Sequence, residues 1–311
     1  MEFACTRESC GNALATLGAA NPNIAVLTAD LAGSTKADDF GKRFPERFFN
    51  MGVAEANMIN TAAGLAASGK IPFACTFAVF AAGRAWEQIR NTVCYANLNV
   101  KIVATHSGLS VGPDGASHQA IADIGLMRIL PNMTVLVPCD ATESYKAVVA
   151  ASEHKGPVYL RLCRAKMPVI TTQLDKFVIG KANVVKDGSA VAIIACGPMV
   201  YPAMLASEAL AKENISAAVI NLHTVKPMDA ETVTKYAAKT GAVVTAEEHL
   251  IAGGMGSAVA ELLARTKPVP MEMVGVKDRF GQSGDPAELL KDYQLTTEDI
   301  VNAARKALSR K

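Results

Sequence analysis

Along the chain, short runs of β-branched and apolar residues alternate with longer Ala-rich stretches of helical period. The runs IAVLTAD at 24–30, VKIVATHS at 100–107, MTVLVPCD at 133–140 and PVYLRLC at 157–163 are apolar at neighbouring positions. Strands of that kind, separated by helices, belong to a mostly parallel sheet covered on both faces. The pattern loosens over 167–189, where Pro, Gly and charge occur together. It restarts with AVAIIACG at 190–197, ISAAVINL at 215–222, GAVVTAEEH at 241–249 and PMEMVGV at 270–276. The expectation is an α/β chain of two consecutive, mostly parallel-sheet domains, 1–170 and the smaller 189–311, with a linker at 171–188. Thr296 or Thr297 is placed to cap a final amphipathic helix.

Composition narrows the class. The chain has 311 residues, half of them hydrophobic, with 31 Lys and Arg against 29 Asp and Glu. That supplies two cores and leaves no basic or acidic block suited to nucleic acid or an anionic membrane surface. The N-terminus lacks a basic segment followed by an apolar core, and no stretch of about 18 apolar residues suggests a membrane span. Seven cysteines are scattered without a CxxC pair, which favours buried reduced thiols and a cytoplasmic protein.

Five stretches invite a chemical reading. NMGVAEANMINTAAGLAASGK, 50–70, reads as a helix that is apolar or small almost all round, with Glu55 its only acid. The dipole at a helix start permits an acid there, but the small and apolar neighbours would leave it poorly solvated. GLAASGK, 64–70, matches the front of a phosphate loop but ends a helix and is followed by Ile71, not a hydroxyl residue, so Gly69 reads as a helix stop. TFAVFAAGRAWEQIR, 76–90, starts extended and turns helical, and sets Phe77 and Phe80 together as core packing or as something more. ATHSGLSVGPDGASHQ, 104–119, is a glycine-rich, mobile-looking loop holding His106, Asp114 and His118. It is an ordinary surface loop or one that recognises hydroxyl or phosphate groups; the spacing suits a metal poorly. GGMGS, 253–257, reads as a tight turn into a helix or a subunit contact. Arg7, Ser34, Arg161 and Arg164 lie near element ends, where an arginine holds a phosphate or is simply paired.

In order and spacing, TADLAGS at 28–34, NMGVAEANM at 50–58, TFAVF at 76–80, THSGLSVGPDGASHQ at 105–119, LPNMTVLVPCD at 130–140 and GPVYLRLCR at 156–164 resemble the pyrimidine-binding domain of transketolases. INLHTVKPMD at 220–229 and EEHLIAGGMGSAV at 247–259 resemble that family's C-terminal domain. The resemblance implies thiamine diphosphate as cofactor. It gives Glu55 the task of sharing a proton with N1' of the aminopyrimidine, so that the 4'-amino group can take the proton from the thiazolium C2. It lays Phe77 and Phe80 against the aminopyrimidine and puts Asp30 near the cofactor. A further aromatic position of the family falls on Gly83. Arg7, Ser34, His106 and Arg164 would hold the substrate phosphate, while Asp114 and His118 would read its hydroxyls, His118 joining Glu55 as a catalytic residue. Arg161 does not match and reads as structural.

The family's G-D-G motif, which holds diphosphate and magnesium on an N-terminal domain, is absent, and Met1 lies six residues before Arg7. The resemblance therefore implies a split enzyme with no metal ligand in this chain. A separate N-terminal subunit carrying G-D-G would hold magnesium or calcium and the diphosphate, in an α2β2 assembly that shares the cofactor. The implied reaction is transfer of a two-carbon ketol unit between sugar phosphates in pentose phosphate metabolism. Related alternatives are 1-deoxyxylulose-5-phosphate synthase and the β subunit of 2-oxo acid dehydrogenases; a non-catalytic assembly module is the alternative of another class.

Overall fold

Each strand of the first half presents two sets of apolar side chains, and the sheet they build separates two cores. In the computed structural model, which describes residues 1–311, Val26, Phe73, Val103 and Leu160 face one core with Leu14, Phe40 and Val148. Leu27, Ala74, Ile102 and Tyr159, each the immediate chain neighbour of one of those strand residues, face another with Met58, Ile59 and Ala62. That alternation inside continuous apolar runs is what a sheet covered on both faces requires. The strand order is Thr224–Lys226, Thr134–Leu136, Val158–Arg161, Lys101–Thr105, Ile71–Phe77, Ile24–Thr28, Phe48–Asn50. All pair in parallel except Thr224–Lys226, which comes from the second half and lies antiparallel at the edge.

The second sheet runs Met271–Val276, Val243–Leu250, Val191–Ala195, Ala217–Asn221, Asn183–Lys186, with only the last strand antiparallel. Asn183–Lys186 falls inside the stretch read as linker. The apolar cluster on the Met58 face continues without a break into Ile194, Ile220 and Val259 of the second half. The two halves thus share a core, which holds them more firmly than a wet domain contact would. Thr296 caps the last helix, Thr297–Leu308, in a reciprocal capping box with Asp299. All seven cysteines are buried and unpaired, and no helix is long and apolar enough to cross a membrane.

Connectivity marks where a ligand would sit. From Ile24–Thr28 the chain moves to Phe48–Asn50 on one side; from Ile71–Phe77 it moves to Lys101–Thr105 on the other. The crevice beyond the carboxyl ends of strands at such a reversal is the usual ligand position of open α/β sheets. Asp30, Phe77 and His106 lie at or just past those ends, and Glu55 follows five residues after Asn50.

Candidate active site

Glu55 opens the helix Glu55–Ala67 one turn before Met58 and Ile59, on the stripe that packs into the core, so its side chain is carried inward with theirs. It is 4 % exposed. Its partner is Arg84, whose Nη1 donates to Oε1 at 3.2 Å and to Oε2 at 3.5 Å. Arg84 ends the helix Ala78–Arg84, four residues after Phe80, and lays its guanidinium over the Phe80 ring at 4.2 Å. The Arg84 side chain is 54 % exposed, so the ion pair is buried at the carboxylate and open at the cation.

An aromatic group adjoins that pair where Arg84 lies over Phe80. Phe77 closes its strand and Phe80 lies on the first turn of the next helix, with rings stacked at 5.6 Å and 16°. The His106 ring stacks on Phe77 at 3.7 Å, and His118 meets the edges of both phenylalanines at 6.3 and 5.5 Å. The contacts of 5.5 to 6.3 Å lie in the range that aromatic pairs favour, whereas His106 lies closer to Phe77, nearly face to face. The helix turn carrying Gly83 borders a cavity of about 370 Å³ lined by Val79, Ala82, Ile121 and Leu126 among others, and a Cβ added at Gly83 would meet nothing within 4 Å.

His106 joins this group to a second, charged one. Its backbone is left-handed, φ 57°, a conformation that side chains other than glycine adopt at some cost and that often marks a ligand site. Its Nδ1 shares a hydrogen bond of 2.9 Å with Thr105 Oγ1. Burial first, then the nearby Arg7 and Arg164, push its pKa down to about 3, so the ring is neutral near pH 7 and works by hydrogen bonding. Arg7 Nη1 donates to the Ser34 carbonyl at 2.7 Å, while Arg7 Nε is buried with no acceptor in the chain. A buried guanidinium donor without a partner is what an incoming anion would satisfy. Arg164 donates from Nη1 to the Val111 carbonyl at 3.0 Å and pairs with Asp114 Oδ2 at 3.2 Å.

The structure thus gathers Arg7, Ser34, Glu55, Phe77, Phe80, His106, Asp114, His118 and Arg164 into two adjoining groups. Asp30 stands beside them without a hydrogen bond to either. It is exposed and left-handed, φ 61°, and its N–H donates to Asn50 Oδ1 at 3.0 Å while Asn50 Nδ2 donates back to Asp30 Oδ1 at 3.2 Å. The loop at 104–119 is packed where the sequence suggested mobility: Leu109, Ser110, Val111 and Gly112 are buried. Arg161 is buried too, donating from Nε to Asp123 Oδ2 at 2.8 Å and from Nη2 to the carbonyls of Ala120 and Glu248 at 3.0 Å. That binds the two halves together. No cluster of three or more His, Cys, Asp or Glu side chains is arranged to hold a metal ion.

Residues 4–169 match the family profile "Transketolase, pyrimidine binding domain" and residues 180–300 match "Transketolase, C-terminal domain". The chain belongs to the transketolase family. Among curated relatives, a "Putative transketolase C-terminal section" of Methanocaldococcus jannaschii is 48 % identical over 95 % of this chain and 93 % of its own. A 6-deoxy-6-sulfo-D-fructose transketolase subunit of a Clostridium species is 45 % identical over 93 % of this chain and 89 % of its own. A solved split-gene transketolase, described as an inactive beta4 tetramer, superposes with a TM-score of 0.93 at 53 % identity, covering 99 % of both chains.

For a transketolase half of this kind, the aminopyrimidine end of thiamine diphosphate fits what the fold offers: a buried carboxylate beside two stacked phenylalanines at the strand ends. Two residues of the site escaped the sequence reading. Arg84 was one arginine in a helical run, 29 positions from the acid it pairs with. Asn50 had a signal, being the last residue of a strand just before the Glu55 helix.

Proposed function

We propose that this chain is the C-terminal subunit of a split, thiamine diphosphate-dependent transketolase that moves a two-carbon ketol unit between sugar phosphates in the cytoplasm. The observation that carries this reading is the convergence of the buried Glu55 carboxylate with the Phe77 and Phe80 stack beside the Arg7, His106 and Arg164 group. Thiamine diphosphate, when bound, supplies the thiazolium that takes up the electron pair released as the ketose carbon–carbon bond breaks.

Glu55 is the group that holds and exchanges a proton at the aminopyrimidine ring nitrogen. Phe77 and Phe80 offer the apolar surface on which that ring is oriented and shielded from water. The free Nε of Arg7, with Arg164 and neutral His106, binds the substrate phosphate, and Ser34 steers Arg7 through its carbonyl. Asp114 and His118 read the sugar hydroxyls, and His118, whose ring meets the edges of Phe77 and Phe80, is assigned the proton transfer at the reacting carbon chain. Asp30 helps to hold the cofactor. The diphosphate and its magnesium or calcium ion are assigned to a separate N-terminal subunit carrying the G-D-G motif, in an α2β2 assembly, because this sequence contains no G-D-G.

The sulfosugar named for one relative makes the sugar itself open to experiment. The chain mixed with its N-terminal partner should turn over xylulose 5-phosphate with ribose 5-phosphate. Turnover of pyruvate with glyceraldehyde 3-phosphate in its place would move the chain to the deoxyxylulose phosphate synthases. Activity with sulfofructose alone would keep the reaction and replace the sugar class.

A further inference from the structure

Ser110 sits midway along the loop that carries His106, Asp114 and His118, and it is held from the other half of the chain. Its N–H donates to Glu248 Oε1 at 2.5 Å and its hydroxyl donates to Glu248 Oε2 at 3.2 Å. Glu248 lies on the strand Val243–Leu250 of the second sheet and is 1 % exposed. A buried carboxylate is costly unless its oxygens are satisfied, and an apolar residue would fill a core strand position at lower cost. The second half's own strands and helices make no use of this acid's oxygens; the loop of the first half does.

Other contacts point the same way. Gln119 Nε2 donates to the Gln282 carbonyl at 2.9 Å and to the Leu109 carbonyl at 3.1 Å, tying the loop's end to its start and to the segment after Val276. Ser283 Oγ donates to the Pro113 carbonyl at 2.7 Å. Gly108 has φ 79°, and a Cβ there would lie 2.4 Å from the Glu248 carboxyl; Gly112 has φ 80°, and a Cβ there would lie 3.0 Å from Pro286 Cγ. Only glycine accepts both the backbone and the close approach at these two positions. The loop is shaped to be gripped.

We propose that Glu248 is a positioning residue: through Ser110 it fixes the 105–119 loop and so sets the geometry of His106, Asp114 and His118 toward the substrate. This rests on the reading that those three residues meet a sugar phosphate. The second half then acts on catalysis without touching the substrate.

The test uses the full chain, alone and with its N-terminal partner. Glu248→Ala removes both acceptors, whereas Glu248→Gln keeps an oxygen for the Ser110 N–H. Amide hydrogen exchange over 105–119 should speed up about tenfold or more in Glu248→Ala, with the helix Glu55–Ala67 unchanged, and return most of the way in Glu248→Gln. In the complex, Glu248→Ala should raise KM for the ketose phosphate about tenfold, with a smaller change in kcat and wild-type exchange of the thiazolium C2 proton. Loop exchange and KM at wild-type values would overturn the proposal. Should Glu248→Ala fail to fold, Ser110→Ala carries the test: severalfold rises in both readouts support the brace, and wild-type values sink it. Failure of the functional reading itself looks different: the wild-type pair then turns over no sugar phosphate, while loop exchange still reports on the brace.

Discussion

Glu55 and Glu247 are both buried acids, 4 % and 1 % exposed, and they are held in opposite ways. Glu247 accepts the N–H groups of Met255 and Gly256, each at 2.7 Å, at the start of the helix Met255–Thr266, so both its oxygens are satisfied by the fold. Burial raises its pKa to about 7, against the pull of those two N–H groups. His249 approaches it at 3.9 Å, but burial pushes that histidine down to about 4, so the contact is no salt bridge near pH 7. Glu55 has one partner, an arginine that is mostly in water, and no backbone N–H reaches it. Burial is common to both acids and marks neither as functional. What sets Glu55 apart is acceptor capacity left for a group from outside the chain.

The largest test of that contrast is Glu55→Ala in the reconstituted enzyme. Turnover should fall by about 10²- to 10⁴-fold, the usual weight of a positioned acid or base. The unfolding midpoint of the chain should move little. If the variant with its partner kept the wild-type rate of thiazolium C2 proton exchange, the contrast would collapse.

Glu247 should show the reverse, an effect on stability and not on chemistry. Its folded pKa of about 7 lies above the ordinary 4.5, so the folded state holds a proton that the unfolded chain has lost over that interval. The contribution to stability is full below about pH 4.5 and lost as pH rises through about 7. Unfolding free energies of wild type and Glu247→Gln at pH 4.5 and 7.5 should therefore diverge by on the order of 3 kcal/mol, wild type losing ground as pH rises. A difference that does not change with pH would contradict this.

Smaller effects sharpen the site side. Arg164→Gln should raise KM for phosphorylated donors about tenfold, the weight of one charge-assisted hydrogen bond, and leave unphosphorylated donors nearly unchanged. Equal effects on both would remove its phosphate role. Arg84→Gln should cost less than about 1 kcal/mol of stability, since its side chain is half exposed. It should lower turnover by less than tenfold; a loss as large as that of Glu55→Ala would make the arginine part of the chemistry.

The parts legible in the sequence were those written in neighbouring residues. Continuous apolar runs gave the two-faced sheet, a lone acid in an apolar helix flagged Glu55, and Phe77 with Phe80 stood out in a chain that is 5 % aromatic. Relations made only by folding were not legible. Arg84 meets Glu55 because one helix follows the strand Ile71–Phe77 and the other precedes it. Thr224–Lys226 is three residues long, too short for periodicity to register, yet it crosses to the first sheet. The glycines at 108 and 112 suggested a loose loop because glycine frees a backbone; here they admit Glu248 and Pro286 against it. Glu248 stood inside the EEHLIAGGMGSAV stretch, with nothing in the sequence to say that it would meet Ser110, 138 positions away.

The central claim is that the cofactor is activated only between unlike subunits, with Glu55 on this one. Its most direct test is the exchange rate of the thiazolium C2 proton with thiamine diphosphate and magnesium, measured for the purified chain, for its N-terminal partner and for their mixture. The expected result is accelerated exchange in the mixture alone, lost again with Glu55→Ala. Accelerated exchange by the purified chain without a partner would contradict it.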